Sequence, residues 1–241
     1  MKFYVVIPAR YNSSRFPGKV LSSINGSSML ELVYNTAVKS DAEKVFIATD
    51  SDIVFEEAKK FTKNIFLTSN SNINGTERIA ELAKKLKWPD DLLIINLQAD
   101  MPQIKFDNIN YLARKSKNND GLSTLYYPLK NKKCINDQNT VKIEVLSNKI
   151  CFSRITEVSK NIYKHIGIYA YTVKNLHLYK SYSVSSNEKK LSLEQYRFID
   201  NGHNVHAYLA ISDPGISVDS IDNINEIIGV NNWKQIKMHY L

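Results

Sequence analysis

The sequence predicts an α/β fold in which a mainly parallel sheet is covered by helices on both faces. In the first half of the chain, short apolar runs rich in β-branched residues alternate with segments whose apolar residues recur at helical spacing. These strands are continuous apolar runs, as is typical of parallel strands buried on both faces. With 241 residues, 43% of them hydrophobic and 23% charged, the chain can bury a sizeable core.

The first half begins with a strand, a polar loop and a helix. Residues 3–8 form a β-branched apolar run, and Met29, Leu32, Val33, Thr36 and Ala37 share one face of a helix over 29–38. The pattern then continues with predicted strands over 44–49, 65–68 and 92–97, and with predicted helices over 52–61 and 75–86.

The segments directly after these strands are the first candidates for a site. Ligands of parallel sheets bind beyond the carboxyl ends of the strands. The segments to inspect are therefore 8–19, 48–50 and 98–102.

The second half has a different pattern, with more strands and shorter helices. No linker rich in Pro, Gly or Ser and no repeat separates the halves, so we expect one domain over 1–241. The predicted strands are 122–129, 141–146, 150–152, 166–172 and 205–210, and the predicted helices are 173–180, 191–201 and 222–228.

Charge and composition argue against several classes of protein. The net charge is +8, but lysines are spread from Lys2 to Lys237 rather than concentrated on one element, so we expect no nucleic-acid partner. No run approaches the roughly 18 apolar residues of a membrane span, and the N-terminus lacks a signal-peptide pattern, so we expect a cytoplasmic protein with no membrane contact. Cys134 and Cys151 lack the spacing of a zinc ribbon or a disulfide framework, and we expect both to be reduced.

The loop that follows the first strand is rich in groups that bind anions. Arg10, Arg15 and Lys19 lie within ten residues, together with two serines and the Pro17–Gly18 pair. Such a loop can surround a polyphosphate with side-chain cations and backbone N–H groups. It is not a Walker A loop, because Ser13 stands where that motif has its first glycine, and the chain contains no G-x-G-x-x-G.

The same loop, Ala9-Arg-Tyr-x-Ser-x-Arg-x-Pro-Gly-Lys19, resembles the N-terminal signature of the 3-deoxy-manno-octulosonate cytidylyltransferases, or CMP-Kdo synthetases. The resemblance extends in order over nearly the whole chain. The further matching motifs are Ile24-Asn-Gly26, Ala48-Thr-Asp50, Gly75-Thr-Glu-Arg78, Asn96-Leu-Gln-Ala-Asp100 with Pro102, Phe152-Ser-Arg154, Lys164-His-Ile-Gly-Ile-Tyr169, Leu193-Glu-Gln195 with Arg197, and Val218-Asp219 followed by Asp222.

This resemblance implies a Rossmann-like nucleotidyltransferase fold with a mostly parallel mixed sheet. It implies a Mg²⁺-dependent enzyme that transfers CMP from CTP to the anomeric hydroxyl of Kdo and releases pyrophosphate, for lipopolysaccharide biosynthesis. It also implies a nucleotide-binding half over 1–120, a sugar-binding and dimerisation half over 121–241, and a homodimer.

The resemblance also implies a role for individual residues. The positions matching the CTP contacts are Arg10, Ser14, Arg15 and Lys19. Lys19, Asp100 and Asp219 match the catalytic residues, and the two aspartates match the ligands of Mg²⁺, for which carboxylate oxygens are suitable. We expect neither aspartate to have a Lys or Arg as its main partner, since a cation there would compete with the metal. The positions matching the sugar contacts are Arg78, Gln98, Arg154, His165, Tyr169, Glu194 and Gln195.

The chain departs from the family pattern at a few positions. Ala99 replaces a glycine, Met101 removes a polar side chain from the expected edge of the metal site, and Val20 and Leu191 replace a usual Pro and Glu. These changes leave open an amino-substituted Kdo or a nonulosonic acid as the acceptor. They also leave open a catalytically weakened homologue that serves as a binding module.

Overall fold

The computed structural model describes residues 2–12, 16–129, 135, 137–146, 149–154 and 161–229. Ser14, Arg15 and Cys134, on which the sequence carries predictions, lie outside the described residues. Within the described part of the chain, no helix is long and apolar enough to cross a bilayer.

A mixed sheet of nine strands contains strands from both halves of the described chain. Its path runs in the order β11, β7, β10, β6, β1, β4, β5, and a hairpin of β8 and β9 joins β10. The strands are β1 (Phe3–Ala9), β4 (Lys44–Thr49), β5 (Ile65–Leu67), β6 (Leu93–Leu97), β7 (Leu122–Tyr127), β8 (Lys142–Leu146), β9 (Lys149–Ser153), β10 (Ile162–Thr172) and β11 (Val205–Leu209), with a separate small hairpin of β2 (Ser23–Ile24) and β3 (Ser27–Ser28).

The strand directions bring the ends of several strands together at one edge of the sheet. β1 pairs in parallel with β4 and β6, and β4 with β5, so the carboxyl ends of these strands meet at the same edge. β10 is antiparallel to β6, with Tyr169 opposite Asn96, so the amino-terminal part of β10 reaches that edge too. A register shift between Ile166 and Tyr169 interrupts the pairing of β10 with β7 beside this edge.

Helices cover both faces of the sheet, as the sequence predicts. One core contains Val5 and Ile7 of β1 together with apolar residues of α1, α2 and α4, and the other contains Val6 with those of α3 and α5. The helices are α1 (Met29–Val38), α2 (Asp52–Ala58), α3 (Gly75–Lys85), α4 (Phe106–Ser116), α5 (Val173–Ser181), α6 (Ser186–Leu191), α7 (Tyr196–Asp200) and α8 (Ile221–Ile228).

The structure differs from the predicted elements chiefly in its helices, and it also adds the β2–β3 hairpin. Helix α4 was not predicted, because Asn108 and Asn110 occupy its buried face and disguise the apolar spacing; the Asn108 amide bonds the backbone of Ile211 and Ser212. Of the helix expected over 191–201, the later part is helical, as α7 over Tyr196–Asp200. The preceding helix α6 ends at Leu191, because Ser192 has a left-handed φ of 53°.

Candidate active site

A pocket of about 1290 Å³ lies at this edge of the sheet and is lined by residues from both halves of the chain. Many of the residues that the sequence singles out contribute to its wall. They are Arg10, Gln98, Asp100, Arg154, His165, Tyr169, Glu194, Gln195 and Asp219. The structure therefore brings together positions that are up to about 200 residues apart in the chain.

The predicted catalytic residues meet beside this pocket. The Lys19 ammonium donates to Asp100 Oδ2 at 2.6 Å and to the Val218 carbonyl at 3.0 Å, and it lies 3.7 Å from Asp219 Oδ1. Because both carboxylates lie close to one ammonium, the distance between their nearest oxygens is well below the ~8 Å that two ligands of one Mg²⁺ can bridge. The expectation that neither aspartate has a cation as its main partner is wrong. Two converging carboxylates repel each other unless a positive charge stands between them, and Lys19 supplies that charge.

A turn before Lys19 sets the position of its ammonium. Gly18 has a left-handed φ of 71°, and its N–H donates to the Tyr11 carbonyl at 2.7 Å. A Cβ at this glycine would lie 3.3 Å from the Tyr11 ring, so both the conformation and the space favour glycine. A short 3₁₀ turn follows over Lys19–Leu21 and directs the lysine toward the aspartates.

The two carboxylates fit a Mg²⁺ site that substrate completes. Mg²⁺ is commonly bound through one or two carboxylates, with water and phosphate oxygens filling the remaining positions. Among the described residues, no group of three or more His, Cys, Asp or Glu side chains could hold a metal. Met101 does not line the pocket, because its side chain is buried in the core that contains Val5 and Ile7.

The structure does not bring Arg78 to the wall of the pocket. Its side chain is fully buried, with Nη2 2.6 Å from Asp50 Oδ2 and Nη1 2.6 Å from Thr68 Oγ1. Helix α3 presents it inward, toward the end of β4, where a carboxylate is available to balance its charge. In this structure Arg78 therefore lies away from the pocket wall and holds Asp50 in place, and its contact with a sugar stays a prediction.

His165 is a neutral hydrogen-bonding group in this pocket. Its Nε2 lies 2.9 Å from Thr124 Oγ1, which also lies near the carbonyls of Ile166 and Ile168. The threonine hydroxyl has one proton for these three neighbours, so the direction of its hydrogen bond with His165 depends on the tautomer of the histidine. Burial lowers the pKa of His165 to about 3, so it is uncharged near neutral pH.

Three further predicted sugar contacts form a buried polar wall. The Tyr169 hydroxyl donates to Gln195 Oε1 at 3.2 Å, and Glu194 Oε2 accepts from the Thr76 N–H at 3.3 Å. Burial raises the pKa of the Glu194 carboxyl above its usual value. The Gln195 Nε2 is buried without a hydrogen-bond partner. This wall therefore has a donor to offer to a hydroxyl or carboxylate.

Arg154 is held by the backbone at the turn between α6 and α7. Its guanidinium donates to the carbonyls of Leu191, Ser192 and Gln138 at 3.0 to 3.2 Å. A guanidinium has five N–H groups, so two remain for a ligand in the pocket. Its positive charge faces the same cavity as Arg10, which donates to the Asn72 carbonyl at 2.7 Å.

Sequence reasoning missed the amino terminus of α3 as part of the pocket. Asn74 caps this helix by accepting from the Glu77 N–H, and both Asn74 and Gly75 line the cavity. A Cβ at Gly75 would approach Pro8 to 2.9 Å, so the glycine allows the helix to start against β1. The signal was present as an asparagine directly before the helical pattern.

A pocket at the carboxyl ends of parallel strands is where proteins of the α/β class bind their ligands, and here a lysine and two aspartates meet beside that pocket. The family model described as cytidylyltransferase matches residues 4–205. The chain belongs to the cytidylyltransferase family and, within it, to the 3-deoxy-manno-octulosonate cytidylyltransferases.

The similarity to individual relatives extends over the full chain. A 3-deoxy-manno-octulosonate cytidylyltransferase of Fusobacterium nucleatum is 37% identical and aligns with 99% of this chain and 100% of its own. One from Blochmanniella pennsylvanica is 35% identical, over 98% and 99% of the two chains. The solved structure of CMP:2-keto-3-deoxy-manno-octonic acid synthetase complexed with CTP superposes with a TM-score of 0.84 at 30% identity, covering 95% of this chain and 98% of that one.

Proposed function

We propose that this chain transfers CMP from CTP to the anomeric hydroxyl of Kdo, giving CMP-Kdo and pyrophosphate for lipopolysaccharide biosynthesis. The observation that carries the proposal is the position of Lys19, which contacts Asp100 from the nucleotide half and Asp219 from the second half. A reaction that joins a nucleotide to a sugar needs its charged groups at the boundary between the two binding regions. The curated relatives carry this activity in their names.

Charge neutralisation is the main work that these side chains would do. The acceptor carries a carboxylate and the donor a triphosphate, so the two substrates repel each other as they approach. Arg10 at the end of β1 and Lys19 beside the pocket would bind the triphosphate, while Arg154, which also lines the pocket, would face the sugar. Cations held in place before reaction stabilise charge that develops on the α-phosphate and the leaving pyrophosphate.

Asp100 and Asp219 would hold Mg²⁺, which when bound screens the triphosphate and lowers the pKa of an attacking hydroxyl. In the structure these carboxylates hold the Lys19 ammonium. Exchanging that contact for phosphate oxygens would place the lysine charge on the nucleotide. The buried polar wall of Tyr169 and Gln195 would orient the sugar by hydrogen bonds.

The direct test is a pyrophosphate-release assay with CTP, Mg²⁺ and a panel of acidic sugars, with product masses measured in parallel. We expect CMP-Kdo as the main product, with UTP and ATP poor substitutes for CTP. Faster turnover of an amino-substituted Kdo or a nonulosonic acid would change the acceptor. No product with any sugar would favour a binding module instead.

We further propose that the enzyme acts in the cytoplasm as a homodimer. Neither assignment is needed for the chemistry of the pocket. Light scattering coupled to size exclusion measures the oligomeric state, and a monomer at working concentration would refute the dimer.

A further inference from the structure

A buried ion-pair network adjoins the polar wall of the pocket, and one of its members, Glu188, lines the pocket itself. The Arg197 guanidinium donates through Nε and Nη2 to the two oxygens of Glu188, both at 2.7 Å, and through Nη1 to Glu77 Oε1 at 2.9 Å. All three side chains are nine-tenths or more buried. The network thus joins α7, α6 and α3 through one planar group.

Further contacts tie the same carboxylates to α5 and to the cap of α3. Lys180 donates to Glu77 Oε2 at 2.7 Å, and the Asn74 amide donates to the Tyr179 hydroxyl at 2.6 Å. The Arg197 guanidinium carbon also lies 4.2 Å from the centre of the Tyr179 ring. Burial alone would raise the pKa of Glu77, but hydrogen bonds from Lys180 and Arg197 outweigh it and lower that pKa. Two carboxylates and two cations therefore balance one another.

The segment that this network supports carries two residues of the pocket wall. Glu194 and Gln195 lie in the short turn between α6 and α7, and the Arg197 N–H donates to the Glu194 carbonyl at 3.1 Å. The Tyr179 hydroxyl reaches the same carbonyl at 3.4 Å. Because this turn is short, its position is determined by the two helices that flank it. A contact that holds those helices in place therefore also positions Glu194 and Gln195.

We propose that Arg197 is a positioning residue for the acceptor sugar: it locks α6 and α7 against α3, so that Glu194 and Gln195 stand at the pocket wall. This rests on the proposed function. A planar guanidinium can hold Glu188 with two parallel bonds and still reach Glu77, which a lysine ammonium cannot do. Arg197 does not line the pocket, so it acts through the wall and not on the substrate.

The test compares Arg197→Lys with wild type in steady-state kinetics against each substrate separately. Lysine keeps the buried positive charge and loses the fork, so we expect folded protein with the KM for Kdo raised roughly 10- to 100-fold. The KM for CTP should stay within about twofold. The matched control is Lys180→Met, which removes a cation from Glu77 without touching Glu188 or α7, and its KM for Kdo should stay near wild type.

Glu77→Gln is the second variant, for use where Arg197→Lys fails to fold. It keeps the fork to Glu188 and weakens only the tie to α3, so we expect a smaller rise in the KM for Kdo with an unchanged KM for CTP. An unchanged KM for Kdo, or equal rises for both substrates, would overturn the positioning role while leaving the proposed function intact. Failure of wild type to consume Kdo in the same assay would overturn both.

Discussion

The ammonium of Lys19 lies 2.6 Å from Asp100 Oδ2, a contact between residues 81 positions apart. It joins the loop after β1 to the segment after β6. A charge-assisted bond this short is among the stronger hydrogen bonds in proteins. The lysine therefore stabilises the arrangement of the carboxylates in this structure, and its loss should affect both rate and cation binding.

Lys19→Met should lower kcat by about 10² to 10³, the usual effect of removing one preorganised group that stabilises transition-state charge. The KM for CTP should change far less, because the lysine acts mainly on charge that develops during transfer. Initial rates measured over a range of CTP concentrations up to saturation give kcat and the KM for CTP separately. The control is Lys190→Met, an exposed lysine of α6 that does not line the pocket, which should stay within about twofold of wild type. Equal kcat for Lys19→Met and wild type would refute the role.

Asp219→Asn should weaken cation binding, since it removes one of two carboxylates while preserving side-chain volume. Mn²⁺ can be titrated in the presence of CTP and followed by electron paramagnetic resonance, a measurement that needs no turnover. We expect at least a roughly tenfold weaker affinity and a maximal rate lower by orders of magnitude. Asp222→Asn changes an exposed carboxylate in the first turn of α8 and should leave the affinity unchanged. Identical titrations for Asp219→Asn and wild type would exclude Asp219 as a ligand.

Arg78→Met should reduce stability, because it leaves Asp50 without its partner at the end of β4. The expected loss in the free energy of unfolding is about 3 kcal/mol, at the lower end for breaking a buried ion pair because Asp50 keeps some exposure. The KM for Kdo of the folded fraction should stay near wild type. Urea unfolding gives the first quantity and kinetics the second. A raised KM with unchanged stability would restore Arg78 as a sugar contact.

His165→Gln should flatten the dependence of stability on pH between about 6.5 and 5. Because burial lowers the folded pKa of His165 to about 3, the unfolded chain binds more protons in this window, and stability falls as pH falls. The contribution approaches about 1.4 kcal/mol per pH unit. Gln can keep the donor to Thr124 without titrating. Parallel slopes for the two proteins in urea unfolding would contradict the prediction.

Local patterns were enough to predict the architecture over residues 3–97. Strands β1, β4 and β6 and helices α1 and α3 fall where apolar periodicity indicates, and the sheet is mainly parallel and covered on both faces. Most of the site residues that the resemblance named line one pocket. Their roles remain predictions, which the experiments above test.

The sequence by itself determined which functional groups follow which strands: a loop rich in Arg and Lys follows β1, and acidic residues follow later strands. Periodicity and motifs are local properties, so they can be recognised without the fold. Only the tertiary structure decided that Lys19 pairs with Asp100 and Asp219, that Arg78 faces Asp50 and that Met101 is buried. Each of those outcomes depends on which side chains, distant in the sequence, become neighbours in the folded chain. Packing of the sheet and helices decides this, since a buried charge must find its partner wherever the fold provides one.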